Sequence, residues 1–178
     1  MESIAIRETA ISGLLEVDLV VNRDSRGSFK EGWQLQKFAE AGFPAFTPVQ
    51  HNVAVSTQEG TTRGIHGEPW NKLISVVNGS VFAAIVDLRK GPENAQVETF
   101  TLDESKALFV PRGCANSYQT LCDNVAYSYL VDAHWSPQAD YTFVNLADLS
   151  LNIRWPIPLE DAVISDKDLR APYLKDLS

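Results

Sequence analysis

The sequence predicts an all-β fold in a single domain that spans residues 1–178. Short runs of β-branched and apolar residues, separated by turn residues, make up most of the chain. Helical patterns are sparse, and no internal repeat, low-complexity tract or linker divides the sequence. Hydrophobic residues account for 44% of the chain, which is enough for a protein of 178 residues to bury a sizeable core.

The first predicted elements are one helix and one pair of strands. A short helix is expected from Gln34 to Ala41. Further along, the β-rich runs 73–77 and 80–88 flank the dipeptide Asn78-Gly79. Both residues of this dipeptide tolerate positive φ, which makes it a strong signal for a β-hairpin. The sequence therefore predicts that these two runs pair with each other.

The second half of the chain continues the β pattern. Residues 107–110 predict a strand that leads into a turn, and residues 125–131 predict another strand. Strand alternation places Tyr127 and Tyr129 on one face of this second strand, where either can be a core aromatic residue. Residues 165–168 resemble an N-capped turn. Together these elements favour a closed or sandwich-like β-barrel.

Charge and targeting patterns exclude several classes of function. The 15 basic and 23 acidic residues give a net charge of −8, which argues against nucleic acid and anionic membranes as partners. A small anionic ligand remains compatible, because a few converging Arg and Lys side chains create a local positive pocket. The chain has no apolar run long enough to span a membrane and no signal-peptide pattern. With two cysteines and no disulfide framework, it is expected to be cytoplasmic.

The segment from Gly60 to Gly79 carries the most informative spacing. His66 follows Gly60 after five residues, and Glu68, Lys72 and Gly79 follow after one, three and six more. This spacing fits the first metal-binding motif of the cupins, G-x5-H-x-H-x3-E-x6-G, at every position. However, Glu68 replaces the second histidine and Lys72 replaces the metal-binding glutamate. A charged ammonium repels a divalent cation, so the exchange suggests proton-transfer chemistry.

The second cupin motif, G-x5-P-x-G-x2-H-x3-N, has its P-x-G core at residues 111–113. Asn116 then stands at the position of the last histidine ligand, and a three-histidine metal site would need all three histidines of the chain. We therefore expect a metal-free protein without a cofactor, which disfavours a metal-dependent dioxygenase. The expected fold is a cupin-type double-stranded β-helix, or jelly-roll barrel, with a few short helices.

Segments spread over nearly the whole chain resemble the dTDP-4-dehydrorhamnose 3,5-epimerase family, which uses a metal-free cupin barrel. Several of these segments are only moderately specific alone, and it is their order and spacing together that carry the resemblance. The matching segments are residues 24–31, 49–52, 63–66, 71–73, 86–89, 110–113, 129, 135–137, 153–156 and 165–168. The resemblance implies that residues 1–178 form a single cupin-like epimerase domain.

The resemblance implies four catalytic residues. His66, which closes the Arg-Gly-Ile-His segment, is the general base, and Asp168 orients it. Lys72 stabilises an enolate at the keto group, and Tyr129 returns a proton from the opposite face. The residues alone also allow a structural histidine at 66, a solvated strand-edge charge at 72 and a helix cap at 168.

The resemblance also implies a substrate-binding set, which is Arg26, Glu31, Gln50, Asn52, Arg63, Asn116 and Trp135. The two arginines match positions that hold the diphosphate or the sugar of a nucleotide. Glu31, Gln50 and Asn52 match polar contacts to the ligand, and Trp135 replaces an aromatic residue that stacks on thymine. Asn116 stands where the family usually has a histidine, and this position lines the sugar pocket.

The implied enzyme is an isomerase that epimerises a dTDP-linked 4-keto-6-deoxyhexose at C3 and C5 through enolates, as in dTDP-L-rhamnose biosynthesis. A C3-only epimerase, a 3,4-ketoisomerase and a non-catalytic sugar-nucleotide-binding cupin stay open as alternatives. Departures from the family pattern at Asn116, Leu130 and His134 bear on which sugar is accepted. The resemblance further implies a homodimer with exchanged N-terminal strands. It also suggests a dTDP-4-dehydrorhamnose reductase as a fused domain or a separate partner.

Overall fold

Two antiparallel sheets face each other across a shared apolar core. A computed structural model describes residues 3–177 of the chain, so residues 1, 2 and 178 of the predicted domain lie outside the described part. The first sheet contains, from edge to edge, β1 (Ala5–Glu8), β2 (Leu15–Asp18), β10 (Lys106–Val110), β7 (Lys72–Asn78), β12 (Val125–Val131) and β5 (Gln50–Ser56). The second contains β13 (Thr142–Phe143), β6 (Thr61–Gly67), β11 (Cys114–Thr120), β8 (Val81–Asp87) and β9 (Gln96–Leu102).

Smaller elements complete the described chain. Strands β3 (Val21–Asp24) and β4 (Gly27–Lys30) form a separate hairpin, and β14 (Val163–Ile164) pairs in parallel with β6. The helices are α1 (Leu35–Glu40), α2 (Asp166–Leu169) and the 3-10 turns Pro92–Asn94, Leu149–Leu151 and Leu174–Asp176. Within residues 3–177, no helix is long and apolar enough to cross a membrane. The prediction of an all-β, cupin-type jelly-roll barrel with a few short helices is confirmed.

Four of the predicted elements lie where the sequence places them, and one of these is β10, which covers the predicted run 107–110. Helix α1 is capped by Gln34, whose side-chain oxygen accepts the Lys37 N–H at 2.6 Å. Strand β12 covers residues 125–131 as predicted, and its alternate residues point into the barrel. Ser165 caps α2, which confirms the N-capped turn near the C-terminus.

The predicted hairpin around Asn78-Gly79 is wrong, although the turn itself is present. Gly79 has a φ of +84°, as a turn of this kind requires. Strand β7 pairs with β10 and β12, whereas β8 pairs with β11 and β9. The turn therefore carries the chain from one sheet to the other. A turn signal fixes a chain reversal but not the partner, and each strand gains two long neighbours in its own sheet.

The core fills only part of the barrel interior. Buried side chains from both sheets, including Ile74, Val76, Val81 and Ile85, pack against one another between the sheets. A second apolar cluster lies outside the first sheet around the buried Phe38 of α1, and a third lies outside the second sheet. The remaining interior space, beside the core, forms the candidate site.

Candidate active site

A cavity of about 500 Å³ opens in the barrel interior. Strands β6, β7, β11 and β12 contribute to its walls, together with the segment that runs from β14 into α2. The chemically active side chains of the lining include His66, Glu68, Lys72, Asn116, Tyr129 and Asp168. Strands from both sheets therefore present acid, base and cation groups to one cavity.

His66 and Asp168 form a hydrogen-bonded pair in the cavity wall. The Nε2 atom of His66 lies 2.7 Å from Oδ1 of Asp168. The Asp168 side chain is only 6% exposed, whereas 32% of the His66 side chain is exposed. The carboxylate thus lies behind the imidazole, and the ring remains accessible from the cavity.

A short parallel strand brings these two distant residues together. In β14, Val163 lies opposite Thr61 and Ile164 lies opposite Thr62 of β6. Helix α2 follows immediately, and the Ser165 hydroxyl caps it by accepting the Asp168 N–H at 3.2 Å. The pairing and the cap together fix Asp168 beside β6.

Gly64 allows β6 to approach both β11 and Asp168 closely. A Cβ atom at this position would lie 2.4 Å from Cβ of Ser117, and the residue has a φ of +127°. The pairing of β6 with β11 shifts register at this point, between Asn116 and Tyr118. The Gly64 N–H also donates to Oδ2 of Asp168 at 3.4 Å. Only glycine fits this conformation and this space.

Asp168 stays ionised at neutral pH. Burial acts to raise the pKa of its carboxyl group, but hydrogen bonds from His66, from the Gly64 N–H and from Ser165 outweigh burial and hold the pKa below its ordinary value. A carboxylate in this position fixes the imidazole tautomer and stabilises the imidazolium that forms when the ring takes a proton. The pair is therefore suited to general-base work.

Lys72 stands at the position of a metal ligand in the cupin motif, but its own side chain ends in an ammonium group. It opens β7 and is 3% exposed. Its ammonium contacts the Glu68 carboxylate and donates to Oδ1 of Asn116. Burial lowers the pKa of Lys72 to about 7, and the adjoining carboxylate acts in the opposite direction. In the described part of the chain, no three His, Cys, Asp or Glu side chains converge as a metal site would require.

Tyr129 faces the cavity from the other sheet. It lies in β12, opposite Asn52 of β5 and Ile74 of β7, whereas His66 lies in the second sheet. Burial raises the pKa of the Tyr129 phenol, so the group keeps its proton at neutral pH. A base and a proton donor thus enter the cavity from opposite walls, with a cation in the same space. This arrangement can remove a proton beside a carbonyl, stabilise the enolate and return a proton to the other face.

A sequence model of dTDP-4-dehydrorhamnose 3,5-epimerases matches residues 8–176 of the chain. The chain belongs to the dTDP-4-dehydrorhamnose 3,5-epimerase family. The members of this family are isomerases, as the resemblance of the sequence segments implies.

Relatives with curated names and solved structures agree with this assignment. The chain is 45% identical to the protein RmlC homolog of Streptococcus pyogenes over 174 residues, which cover 94% of this chain and 87% of the relative. It is 30% identical to dTDP-4-dehydrorhamnose 3,5-epimerase of Mycolicibacterium smegmatis over 177 residues, or 96% and 86% of the two chains. The structure of RmlC from Streptococcus suis in complex with dTDP-D-xylose superposes with a TM-score of 0.91 at 44% identity, covering 99% of this chain and 94% of that one.

The epimerase-like cavity contains six of the predicted site residues. They are His66, Asp168, Lys72, Tyr129, Arg63 and Asn116. Arg63 is exposed and lines the cavity from β6. Asn116 lies opposite His66 in the β6–β11 pairing. The structure therefore brings the whole predicted catalytic set together, while the role of each residue stays a prediction.

Three predicted binding residues lie together outside the cavity lining, near Tyr129. Gln50 and Asn52 are on the same face of β5, and Nε2 of Gln50 donates to Oδ1 of Asn52 at 2.9 Å. The Gln50 side-chain oxygen accepts the Trp135 N–H at 2.8 Å. Trp135 is 61% exposed, so a ligand can reach its side chain.

The single chain does not bring Arg26 and Glu31 to its own cavity. Arg26 lies in the turn of the β3–β4 hairpin, its side chain is 87% exposed, and it pairs with Asp24. Glu31 is exposed and pairs with Lys37 of α1. Binding of the ligand by these two residues stays a prediction, and within one chain the geometry does not support it.

Nine lining residues were not among those predicted for the site, and four of these nine have titratable side chains. Glu68 lies two positions after His66, and Tyr118 lies two positions after Asn116, so strand alternation could have indicated both. Tyr127 stacks on Tyr118 with ring centroids 4.0 Å apart. Lys167 lines the cavity beside Asp168, and its ammonium lies 4.0 Å from the centroid of the Phe143 ring.

Proposed function

We propose that this protein is a cofactor-independent epimerase of a dTDP-linked 4-keto-6-deoxyhexose and inverts C3 and C5, as in dTDP-L-rhamnose biosynthesis. The observation that carries the proposal is the placement of the His66–Asp168 pair and Tyr129 on opposite walls of one cavity that also holds the Lys72 ammonium. A site that only bound the sugar nucleotide would need no base and donor on opposite faces. Family membership supports the same activity.

The proposed reaction starts with proton removal by His66. In a 4-keto sugar, the protons at C3 and C5 are each α to the carbonyl, so their removal gives an enolate. His66 takes the proton while the ionised Asp168 stabilises the imidazolium. The negative charge moves to the C4 oxygen, where the Lys72 ammonium stabilises it. No bound metal is needed for this step.

Inversion requires that the enolate receive its proton from the other side. The Tyr129 phenol is protonated at neutral pH and enters from the first sheet, opposite His66. Transfer of the phenol proton to the carbon restores the ketone with the opposite configuration. The tyrosinate is then reprotonated from solvent, and His66 loses its proton to solvent, so the protein ends each cycle unchanged.

We propose that the nucleotide lies at the exposed side of the cavity. The guanidinium of Arg63 and the ammonium of Lys167 are exposed cations in the lining, and a diphosphate prefers such charge-assisted contacts. The exposed Trp135 ring, held by its N–H to Gln50, is placed to stack on the thymine. An acidic protein can bind an anionic ligand through this local cluster.

We also propose that the active form is a homodimer. Strand β5 is an edge strand that exposes Val53 and Val55, and Val77 of β7, in the same sheet, is also exposed. Such an apolar edge is normally covered. Exchange of N-terminal strands would place the projecting β3–β4 hairpin, with Arg26, against the partner's cavity. Light scattering at micromolar concentration should give twice the 19.7 kDa mass of one chain, and a monomer would contradict the proposal.

A cytoplasmic location and a reductase that consumes the 4-keto product are further parts of the proposal. The 4-keto product still carries its carbonyl, so a hydride-transferring reductase is the class of enzyme that would act next. Co-expression of a dTDP-4-dehydrorhamnose reductase with this protein should convert the substrate fully to dTDP-L-rhamnose. The reductase without this protein should not.

The wild-type reaction in heavy water tests the proposed function. Purified protein is incubated with dTDP-4-keto-6-deoxyglucose in D2O, and NMR follows deuterium at each ring position. We expect uptake at both C3 and C5 together with the inverted product. Uptake at C3 alone indicates a C3-only epimerase, and a carbonyl that moves to C3 indicates a ketoisomerase. Binding of dTDP without any exchange would leave the binding-cupin alternative.

A further inference from the structure

Glu68 is a charged residue of the cavity that the proton transfers described above do not use. Its carboxylate contacts the Lys72 ammonium, and the two side chains are only 15% and 4% exposed. The same ammonium donates to the side-chain oxygen of Asn116. Glu68 and Asn116 each stand at the position of a histidine ligand in the cupin motifs. They therefore contact the Lys72 ammonium where a metal-binding cupin has its ion.

We propose that Glu68 is a positioning residue for the epimerisation: its carboxylate keeps the Lys72 ammonium charged and, together with Asn116, directs one N–H of that ammonium at the keto oxygen of the substrate. This inference rests on the proposed function, because it assigns a task to Glu68 in that same reaction. Glu68 acts through Lys72 and does not itself exchange a proton with the sugar.

The geometry of the ammonium supports the directing role. A lysine ammonium has three N–H donors in tetrahedral arrangement and no acceptor. The Asn116 oxygen accepts one of them, and the Glu68 carboxylate lies in ion-pair contact with the same ammonium. These two contacts hold the ammonium from two sides and leave it a donor that can point into the cavity. An ammonium held in this way presents that donor at the place where the enolate oxygen develops.

The charges around Lys72 support the second role. Burial disfavours a charged lysine. The other titratable or charged residues that line the cavity are Arg63, His66, Tyr118, Tyr127, Tyr129, Lys167 and Asp168. Arg63 and Lys167 are cations, which disfavour another positive charge nearby. The Asp168 carboxylate is hydrogen-bonded to His66. Among the lining residues, Glu68 is therefore the carboxylate available to Lys72.

A purely structural salt bridge would predict different behaviour. Replacing one partner of a buried pair then lowers stability and reduces activity equally at every pH. The positioning role predicts instead a change in the pH dependence of the reaction. Activity that needs the ammonium falls as pH rises through the pKa of Lys72, and this fall is the alkaline limb of the plot of activity against pH. Loss of the Glu68 charge lowers that pKa, so it should move the alkaline limb to lower pH.

Three variants separate charge from position. Glu68→Gln keeps the size and one acceptor but removes the charge, and its alkaline limb should move down by about 1–3 pH units. At a fixed pH on that limb, kcat of the variant should be about tenfold below that of the wild type for every pH unit by which the limb has moved. KM should not rise, because removing a negative charge does not weaken the binding of an anionic ligand. Glu68→Asp keeps the charge on a shorter side chain and should lose kcat at all pH values with its limb in place. Glu59→Gln makes the same charge change at an exposed site and should match the wild type.

A second measurement does not depend on activity. NMR of proteins with 13C-labelled lysine side chains reports the pKa of Lys72, with Lys72→Ala identifying its signal. We expect Lys72 to titrate about 1–3 pH units lower in Glu68→Gln than in the wild type. A Lys72 pKa that is the same in the two proteins would overturn the proposal, and Glu68→Ala supplies the same comparison if Glu68→Gln does not fold.

The outcomes also separate this inference from the proposed function. If the wild type does not exchange protons of the keto sugar, the proposed function fails and the NMR titration alone still reports on Glu68. If the wild type is active and Glu68→Gln has the wild-type alkaline limb, the positioning role is wrong and the epimerase function stands. An alkaline limb that moves equally in Glu68→Asp and Glu68→Gln would show that distance, and not charge, is decisive, which also contradicts the proposal.

Discussion

His66 and Asp168 are separated by 102 positions in the chain, yet Nε2 of His66 lies 2.7 Å from Oδ1 of Asp168. The parallel pairing of β14 with β6 and the Ser165 cap on α2 make this contact possible. The carboxylate is buried and ionised, and the imidazole reaches the cavity. The pair is therefore built to hold an imidazolium, which is what a general base becomes when it acts.

Asp168→Asn should remove this support while leaving the side-chain shape intact. An amide cannot stabilise the imidazolium and can favour the wrong tautomer, so we expect a loss in kcat of about 10²–10⁴-fold. Asp166→Asn, on the exposed side of the same helix, is the matched control and should stay close to wild-type activity. Steady-state kinetics with a coupled reductase measures both. Equal kcat values for the two variants would contradict the role of Asp168.

Gly64→Ala should destabilise the fold at the base of the site. The new methyl group would lie 2.4 Å from Ser117 at a φ of +127°, where a side chain is strained in any case. We expect the free energy of unfolding to fall by more than about 1 kcal/mol in urea titrations. Gly32→Ala is the control, because a Cβ there meets nothing within 4 Å. A Gly64→Ala protein as stable as the Gly32→Ala protein would argue against this packing.

The sequence predicts the regular part of this fold and the local parts of the site. Strand alternation in β12 places Tyr129 in the barrel, and the Asn78-Gly79 turn lies where expected. The pairing partners of β7 and β8 could not be predicted, because hydrophobic pattern and turn chemistry do not specify which sheet a buried strand joins. The His66–Asp168 contact likewise depends on a tertiary pairing, and only the family resemblance indicated it.

The remaining differences concern residues whose role depends on a neighbour. In the sequence, Glu68 is a residue that replaces a histidine of the cupin motif. Its contact with Lys72 is seen only in the folded chain, where the end of β6 lies near the start of β7. Arg26 matches a ligand-binding position in sequence but lies on an exposed hairpin of the isolated chain. Sequence comparison cannot distinguish a residue that serves its own cavity from one that serves a second copy.

Arg63→Ala should weaken nucleotide binding. The guanidinium lines the cavity from β6, and the loss of one charge-assisted contact of about 1.5–3 kcal/mol raises the Kd for dTDP roughly tenfold to a hundredfold. Arg112→Ala is the matched control, because that side chain is exposed and is not part of the lining. Isothermal titration calorimetry measures the Kd for dTDP in Arg63→Ala, in Arg112→Ala and in the wild type. Unchanged affinity in Arg63→Ala would remove this residue from the nucleotide site.

Activity should not depend on a divalent metal. Lys72 and Asn116 stand at ligand positions of the cupin motifs, and the ammonium lies against Glu68 where a metal would need donors. Protein dialysed against EDTA should keep its full kcat, and elemental analysis should find no stoichiometric transition metal. A bound metal whose removal abolishes activity and whose return restores it would overturn this prediction.

Proton exchange and inversion, measured side by side in His66→Ala and Tyr129→Phe, test the central claim most directly. Both variants are incubated with the 4-keto substrate in D2O, and NMR records deuterium at C3 and C5 and the configuration of the product. If His66 removes the proton, His66→Ala should lose exchange at both carbons by about 10²–10⁴-fold. If Tyr129 returns it, Tyr129→Phe should still incorporate deuterium but should lose most of the inverted product. Inversion at the wild-type rate in Tyr129→Phe, or exchange at the wild-type rate in His66→Ala, would contradict the assignment of acid and base.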